Sequence, residues 1–203
     1  MKGIQNIIFD LGGVLLNIDF ERSQQAFQQL GISNFKEMVS MTHSNELFHA
    51  LETGIDTALF YERFRAVTGT ALSNEIIEEA WCALLIDFRT KSIEHLQQLK
   101  SNYQLYLLSN TNEIHVQRIH ELFRRQFHGQ EFEDCFDAAY YSQRIGLRKP
   151  DAAAWLHVLE THQLDPSETL FIDDGLANIE AAQRLNIHTI HLLPTMLVED
   201  LGL

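Results

Sequence analysis

Five short apolar runs constrain this chain more than any other feature: residues 4–9, 105–109, 138–142, 170–173 and 188–192. At least four are near-continuous, where a strand with one wet face would alternate, so the sheet they form is expected to be covered on both faces. Helical periodicity fills the intervals at 92–100, 113–125, 152–162 and 178–185. Strands alternating with helices predict an α/β fold built on a doubly wound parallel sheet.

The rhythm breaks once, because residues 10–104 hold no convincing strand pattern before the second run begins. Residues 18–30, 35–43, 46–52, 57–67 and 74–88 all read as helical, with breaks at Gly31, Gly54-Ile55-Asp56 and Thr68-Gly69-Thr70. Ser33 and Ser73 stand where helix caps belong. The pattern predicts a helical cap, 18–89, inserted after the first strand of a core made from 1–17 and 90–203. Its apolar stripe, Phe27, Leu30, Phe35, Met38, Leu59, Phe60 and Phe64, is expected to be the cap's own core. With 203 residues and 45% apolar positions, the chain can support one domain carrying such a lobe.

Net charge is −13, from 28 acidic against 15 basic residues. A field of that sign opposes nucleic acid and anionic membrane, so an anionic substrate must be held by local groups. Cys82 and Cys135 are far apart and form no metal or redox pair, which predicts two reduced thiols. Met1 leads almost directly into the first strand, leaving no expected room for a signal peptide, and no apolar run approaches the ~20 residues of a membrane span. A cytoplasmic monomer or weak homo-oligomer is expected.

In open α/β sheets, ligands bind beyond the carboxyl ends of the strands. Those ends here carry Asp10, then Ser109-Asn110-Thr111-Asn112, then Gly146-Leu147-Arg148-Lys149-Pro150-Asp151, then Asp173-Asp174-Gly175. Three carboxylates, Asp10, Asp173 and Asp174, repel one another unless a cation sits among them. An oxygen-only set without His or Cys favours Mg²⁺. A carboxylate can serve as nucleophile, Lys149 can balance charge, and Ser109 with the following N–H groups can hold phosphate oxygens. Singly, each is ordinary: an aspartate at a strand end usually caps a turn or helix, as Asp173-Asp174 can. Four successive strand ends together describe phosphoryl transfer by positioning and electrostatics.

These residues resemble the haloacid dehalogenase superfamily, in its helical-cap branch with phosphatases. The resemblance rests on Phe9-Asp10-Leu11-Gly12-Gly13-Val14-Leu15, Leu107-Leu108-Ser109-Asn110, Lys149-Pro150, and Phe171-Ile172-Asp173-Asp174 with Asn178 behind it. It implies that Asp10 becomes an aspartyl-phosphate and binds Mg²⁺ through one oxygen. It implies that the Gly12 carbonyl and Asp174 also ligate the metal, with Asp173 either direct or acting through water. Ser109 and Asn110 would bind the phosphoryl group of a small phosphorylated metabolite, Lys149 would balance charge, and Asn178 would stand behind the metal residues.

One position departs from the family pattern. Most phosphatases of this kind carry a second aspartate two residues after the nucleophile, as general acid for the leaving oxygen; here it is Gly12. General acid–base help is typically worth ~10²–10⁴-fold. The departure predicts a phosphatase for good leaving groups, such as a sugar 1-phosphate or an acyl phosphate. The Asp-Leu-Gly-x-Val motif also resembles a bacterial branch that includes glucose-1-phosphate phosphatases. A cap residue supplying the acid is a second reading, with Asp19, His43, Glu46 and His49 as candidates; Asp19 also reads as a helix cap and the two histidines as a solvated face. A metal-free dehalogenase and a mutase are disfavoured by the intact Asp173-Asp174 pair and by the missing acid, respectively. A non-enzymatic phosphate-binding or regulatory module is the remaining alternative.

Overall fold

The computed structural model describes residues 3–33, 35 and 42–203, with the backbone alone for 42–45. In chain order the elements are β1 (Asn6–Phe9), β2 (Leu16–Ile18), α1 (Phe20–Gln29), α2 (Thr42–Glu52), α3 (Thr57–Thr68), α4 (Asn74–Cys82) and β3 (Leu85–Phe88). They continue with α5 (Thr90–Leu99), β4 (Gln104–Ser109), α6 (Glu113–Gln126), β5 (Ala138–Tyr141), α7 (Ser142–Ile145), α8 (Ala152–His162), β6 (Thr169–Asp173), α9 (Leu176–Gln183) and β7 (His188–His191).

The five strands expected from the apolar runs form one parallel sheet in the order β5-β4-β1-β6-β7. Alternate residues of each central strand serve opposite faces. Phe9, Leu107 and Ile172 join the core cluster that includes Ile93 and Leu96 of α5 and Ile119 and Phe123 of α6. Ile8, Leu108 and Phe171 join Trp155 and Val158 of α8 and Ile179 of α9. Both faces are therefore dry, which is why the runs lack alternation; each such side chain contributes about 1.5–3 kcal/mol by leaving water. The chain winds from β1 through β4 to β5, then crosses to β6 and β7. That places the topological switch at the carboxyl end of β1, where such sheets bind ligands.

The cap helices occupy the stretch between β2 and β3. Asp19 and Ser73 cap as expected, accepting from the Glu21 N–H (2.9 Å) and the Ile76 N–H (3.5 Å), and Asp56, expected only as part of a break, caps α3 by accepting from the Ala58 N–H (2.8 Å). Phe27, Phe35, Phe60 and Phe64 are buried together, with Phe27 stacked on Phe35 at 4.3 Å. Leu59 departs from the expected stripe and is 37% exposed. Met38 and most of the expected helix 35–43 lie outside the described residues.

The expected helix 74–88 ends at Cys82, and residues 85–88 are strand β3, paired antiparallel with β2. Ile18, expected to be helical, belongs to β2. Leu84, Leu85 and Phe88 continue a helical apolar spacing, so periodicity could not separate strand from helix there. The two cap linkers thus form a two-stranded ribbon. Asn17 Nδ2 donates to Asp87 (2.8 Å), and Arg89 Nε donates to the Asn17 carbonyl oxygen of the side chain (2.9 Å). The Gln126 side chain of α6 accepts from the Phe88 N–H (3.0 Å) and donates to its carbonyl (2.8 Å). Cys82 and Cys135 are free and buried, and among the described residues no helix is long and apolar enough to cross a membrane.

Candidate active site

Parallel register sets the centre of the site. Phe9 pairs with both Leu107 and Ile172, and the Asp10 N–H donates to the Ile172 carbonyl (2.9 Å). Asp10, Ser109 and Asp173 therefore emerge from three neighbouring strands at one edge. Carboxylate oxygens of Asp10, Asp173 and Asp174 lie within 4.8 Å of one another.

Lys149 bridges two of them. Its Nζ donates to Asp10 Oδ1 (2.7 Å) and to Asp173 Oδ2 (2.7 Å), and it sits 5.1 Å from the centre of the Phe171 ring. The lysine is 1% exposed. Its main chain is fixed by Asn110, whose Nδ2 donates to the Lys149 carbonyl (2.7 Å) and whose Oδ1 accepts from the Lys149 N–H (2.9 Å). Asp173 is held from behind: Gly175 N–H reaches Oδ1 (2.7 Å), and Asn178 Nδ2 reaches both oxygens (3.0 Å each).

The charges do not balance within the protein. Burial pushes the Asp10 carboxyl up to about 7; Lys149 opposes this and the Asp173 charge adds to it. Burial also raises Asp174, again helped by Asp173. Burial alone would lower Lys149, but Asp10 and Asp173 together hold it above its ordinary value. Three carboxylates facing one ammonium leave an excess of negative charge that a divalent cation would neutralise. The oxygen-only donor set and its spacing fit Mg²⁺.

The turn leaving β1 explains the paired glycines. The Leu11 carbonyl accepts from the N–H groups of Val14, Leu15 and Leu16 (3.3, 2.8 and 2.9 Å), folding the chain back tightly. Gly13 has φ +74°, and a Cβ there would stand 2.1 Å from Asp174 Oδ2. Gly12 is less constrained, since its Cβ would meet only the tip of Ile18, at 2.9 Å.

On the other side of the cleft, the loop after β4 is pinned by Ser142, whose hydroxyl accepts from the Thr111 N–H and donates to its carbonyl (3.0 Å each). Asn112 caps α6 by accepting from the His115 N–H (3.0 Å). Ser109 and Asn110 thus lead into the N-terminus of a 14-residue helix, a place suited to anions. Gly12, Ser109 and Asn110 line a cavity of about 140 Å³ whose far wall comes from Glu52, Trp81 and Leu84 of the cap. A larger hollow of about 530 Å³, at the other end of the sheet beside Gln5, Asn6 and Gln104, holds none of these groups.

Two cap-to-core pairings escaped sequence reasoning. Glu52 forms an ion pair with Arg148 (2.8 Å), and burial raises the Glu52 carboxyl although Arg148 opposes it. His115 Nε2 lies 3.2 Å from the Trp81 carbonyl, and its ring stacks on that indole at 5.1 Å. Arg148 sits directly before Lys149, the only local hint of its place. Of the cap residues considered as acids, Asp19 is engaged as a helix cap, and Glu46 and His49 are exposed on α2. The His43 side chain is outside the described set.

A buried strand-end aspartate bridged by lysine to an acidic pair, at the switch point of a parallel sheet under a helical cap, defines an enzyme of the α/β class built for carboxylate chemistry. The chain belongs to the haloacid dehalogenase-like hydrolase family, whose sequence model matches residues 4–186. It is 30% identical to a D-ribitol-5-phosphate phosphatase of Bacteroides thetaiotaomicron over 92% of this chain and 90% of that one. It is 29% identical to the sesquiterpene phosphatase astK of Aspergillus oryzae, over 93% and 90% of the two chains. A family enzyme from Bacteroides thetaiotaomicron, solved with magnesium and inorganic phosphate, superposes with a TM-score of 0.90 at 34% identity, covering 99% of this chain and 100% of that one.

Proposed function

We propose that this enzyme is a Mg²⁺-dependent phosphatase that hydrolyses a small phosphomonoester through an aspartyl-phosphate on Asp10. The observation that carries the reading is Lys149, buried and donating at 2.7 Å to both Asp10 and Asp173, with Asp174 beside them. An Asp10 oxygen attacks phosphorus as the ester P–O bond breaks, and the leaving alkoxide takes its proton from water; a second water then attacks the phosphorus of the aspartyl-phosphate, loses its proton to solvent, and releases phosphate with the carboxylate restored. Asp10, Asp174 and the Gly12 carbonyl would hold Mg²⁺, which supplies positive charge against the phosphate oxygens. Both oxygens of Asp173 already accept hydrogen bonds, so it serves from behind, through water.

Ser109 and the N–H groups leading into α6 receive the phosphoryl oxygens. Asn110 contributes there through its main chain, because its amide is committed to Lys149. Gly12 offers no proton, so substrates with good leaving groups are favoured. The ribitol-phosphate and magnesium–phosphate relatives support a phosphorylated metabolite as substrate and Mg²⁺ as cofactor. We further propose residues 18–89 as a cap acting on a core of 1–17 and 90–203, and a cytoplasmic site of action, in keeping with two buried free thiols.

The test is turnover of p-nitrophenyl phosphate. Activity should require Mg²⁺, vanish with chelator and be abolished by Asp10→Asn; inertness across a panel of phosphate esters would overturn the reading in favour of a binding module.

A further inference from the structure

Two cavities meet where the cap covers the core. One is the 140 Å³ cleft beside Gly12, Ser109 and Asn110. The other, of about 330 Å³, is walled by Phe20, Phe35, Phe48, Trp81 and Leu84, with Glu52 and Arg148 among its polar residues. Phe20, Glu52, Trp81 and Leu84 line both, so the cavities share a wall. If the phosphoryl group occupies the first, the rest of the substrate has the second as its nearest room.

The aromatic residues of that chamber are not equivalent. The Trp81 indole is stacked with both Phe48 (4.8 Å, 10°) and His115 (5.1 Å, 16°), which makes it fixed wall. Phe35 is stacked on Phe27. Phe20 is 71% exposed and has no ring partner among the described residues, leaving an aromatic face free at the junction of the two cavities. On the polar side, Glu52 lines both cavities and is paired at 2.8 Å with Arg148, which lines the larger one. The junction therefore offers an apolar face on one side and, on the other, a carboxylate paired with a guanidinium.

We propose that Phe20, Glu52 and Arg148 select the leaving group, and that they select a hydroxylated ring, with its C–H face on Phe20 and its hydroxyls on Glu52 and Arg148. The proposal rests on the phosphatase reading and adds to it the class of alcohol released. A purely apolar alcohol would desolvate the Glu52–Arg148 pair without offering it hydrogen bonds. An acyclic polyol has no flat apolar face for Phe20 and loses more conformational freedom on binding.

The experiment compares kcat/KM on glucose 1-phosphate, ribitol 5-phosphate and p-nitrophenyl phosphate with Mg²⁺, for the wild type, Glu52→Gln, Glu52→Asp and Phe20→Ala. Glu52→Gln is expected to lose about 10- to 100-fold more on glucose 1-phosphate than on p-nitrophenyl phosphate, mostly through KM, as fits loss of a hydrogen bond to a charged group. Glu52→Asp should recover part of that ratio. Phe20→Ala should cost several-fold more on the cyclic than on the acyclic sugar phosphate. Equal losses on all three substrates would overturn the proposal and make Glu52 a support for the Lys149 loop. Wild-type turnover of p-nitrophenyl phosphate alone would overturn the proposal and leave the phosphatase reading standing, whereas inertness on all three substrates would overturn both.

Discussion

Asn110 and Lys149 grip one another through two hydrogen bonds, the asparagine amide giving one to the lysine carbonyl (2.7 Å) and taking one from the lysine N–H (2.9 Å). The end of β4 thereby fixes the main chain from which Lys149 reaches Asp10 and Asp173. Asn110→Ala should lower kcat by about 10- to 100-fold with little change in KM, the scale typical when a group that orients a catalytic residue is lost. It should also cost about 1–3 kcal/mol in urea unfolding, because buried main-chain groups lose their partners. An unchanged kcat on p-nitrophenyl phosphate would show that Lys149 finds its place unaided.

Gly12→Asp tests the missing acid. Gly12 is not in the left-handed region, and its Cβ would meet only the flexible end of Ile18. An aspartate there is expected to fold and to raise kcat/KM on alkyl phosphates by about 10-fold or more, within the ~10²–10⁴ that general acid catalysis supplies. Wild type should show kcat/KM falling steeply with the pKa of the leaving alcohol, and the variant a shallower slope. A flat wild-type dependence would point to an acid elsewhere.

Gly13 is the stricter of the two glycines. Its φ of +74° costs an L-residue about 1–2 kcal/mol, and its missing Cβ is what lets Asp174 approach. Gly13→Ala should therefore displace Asp174 and raise the Mg²⁺ concentration for half-maximal activity at least several-fold, beyond any loss of stability. A metal titration of activity checks this, and an unshifted midpoint would mean that Asp174 is not needed at the metal.

Much of this was legible in the sequence, for identifiable physical reasons. Burial on both faces wrote β1, β4 and β6 as continuous apolar runs, and parallel register then brings Asp10 beside Asp173 however far apart they are in the chain. The β2–β3 ribbon was not legible, since strands of three and four residues carry too few positions to show a period of two. The commitment of the Asn110 amide to Lys149 was hidden for another reason: composition identifies a donor but not what it donates to. The Glu52–Arg148 and His115–Trp81 contacts arise from docking the cap on the core, a relation with no local pattern.

His115 ties that docking to pH. The Trp81 carbonyl can only accept, so Nε2 carries the ring proton, and Nδ1 is left to accept from Asn112 Nδ2 (3.1 Å). Both nitrogens are thus satisfied in the neutral ring, and protonation would put a second N–H against a donor. Burial moves His115 down to about 4, with the Trp81 hydrogen bond offsetting part of the effect. The unfolded chain titrates near 6.5, so between roughly pH 6.5 and 4 the unfolded state binds more protons, and stability is lost as pH falls through that window. The loss attributable to His115 is on the order of 3 kcal/mol, complete only near pH 4. His115→Gln should be less stable than wild type at pH 7 and should lose less on acidification, so the two unfolding free energies converge near pH 4. Urea unfolding at pH 7, 5.5 and 4.5 measures this. Parallel pH profiles for the two proteins would show that the cap–core joint does not titrate through His115.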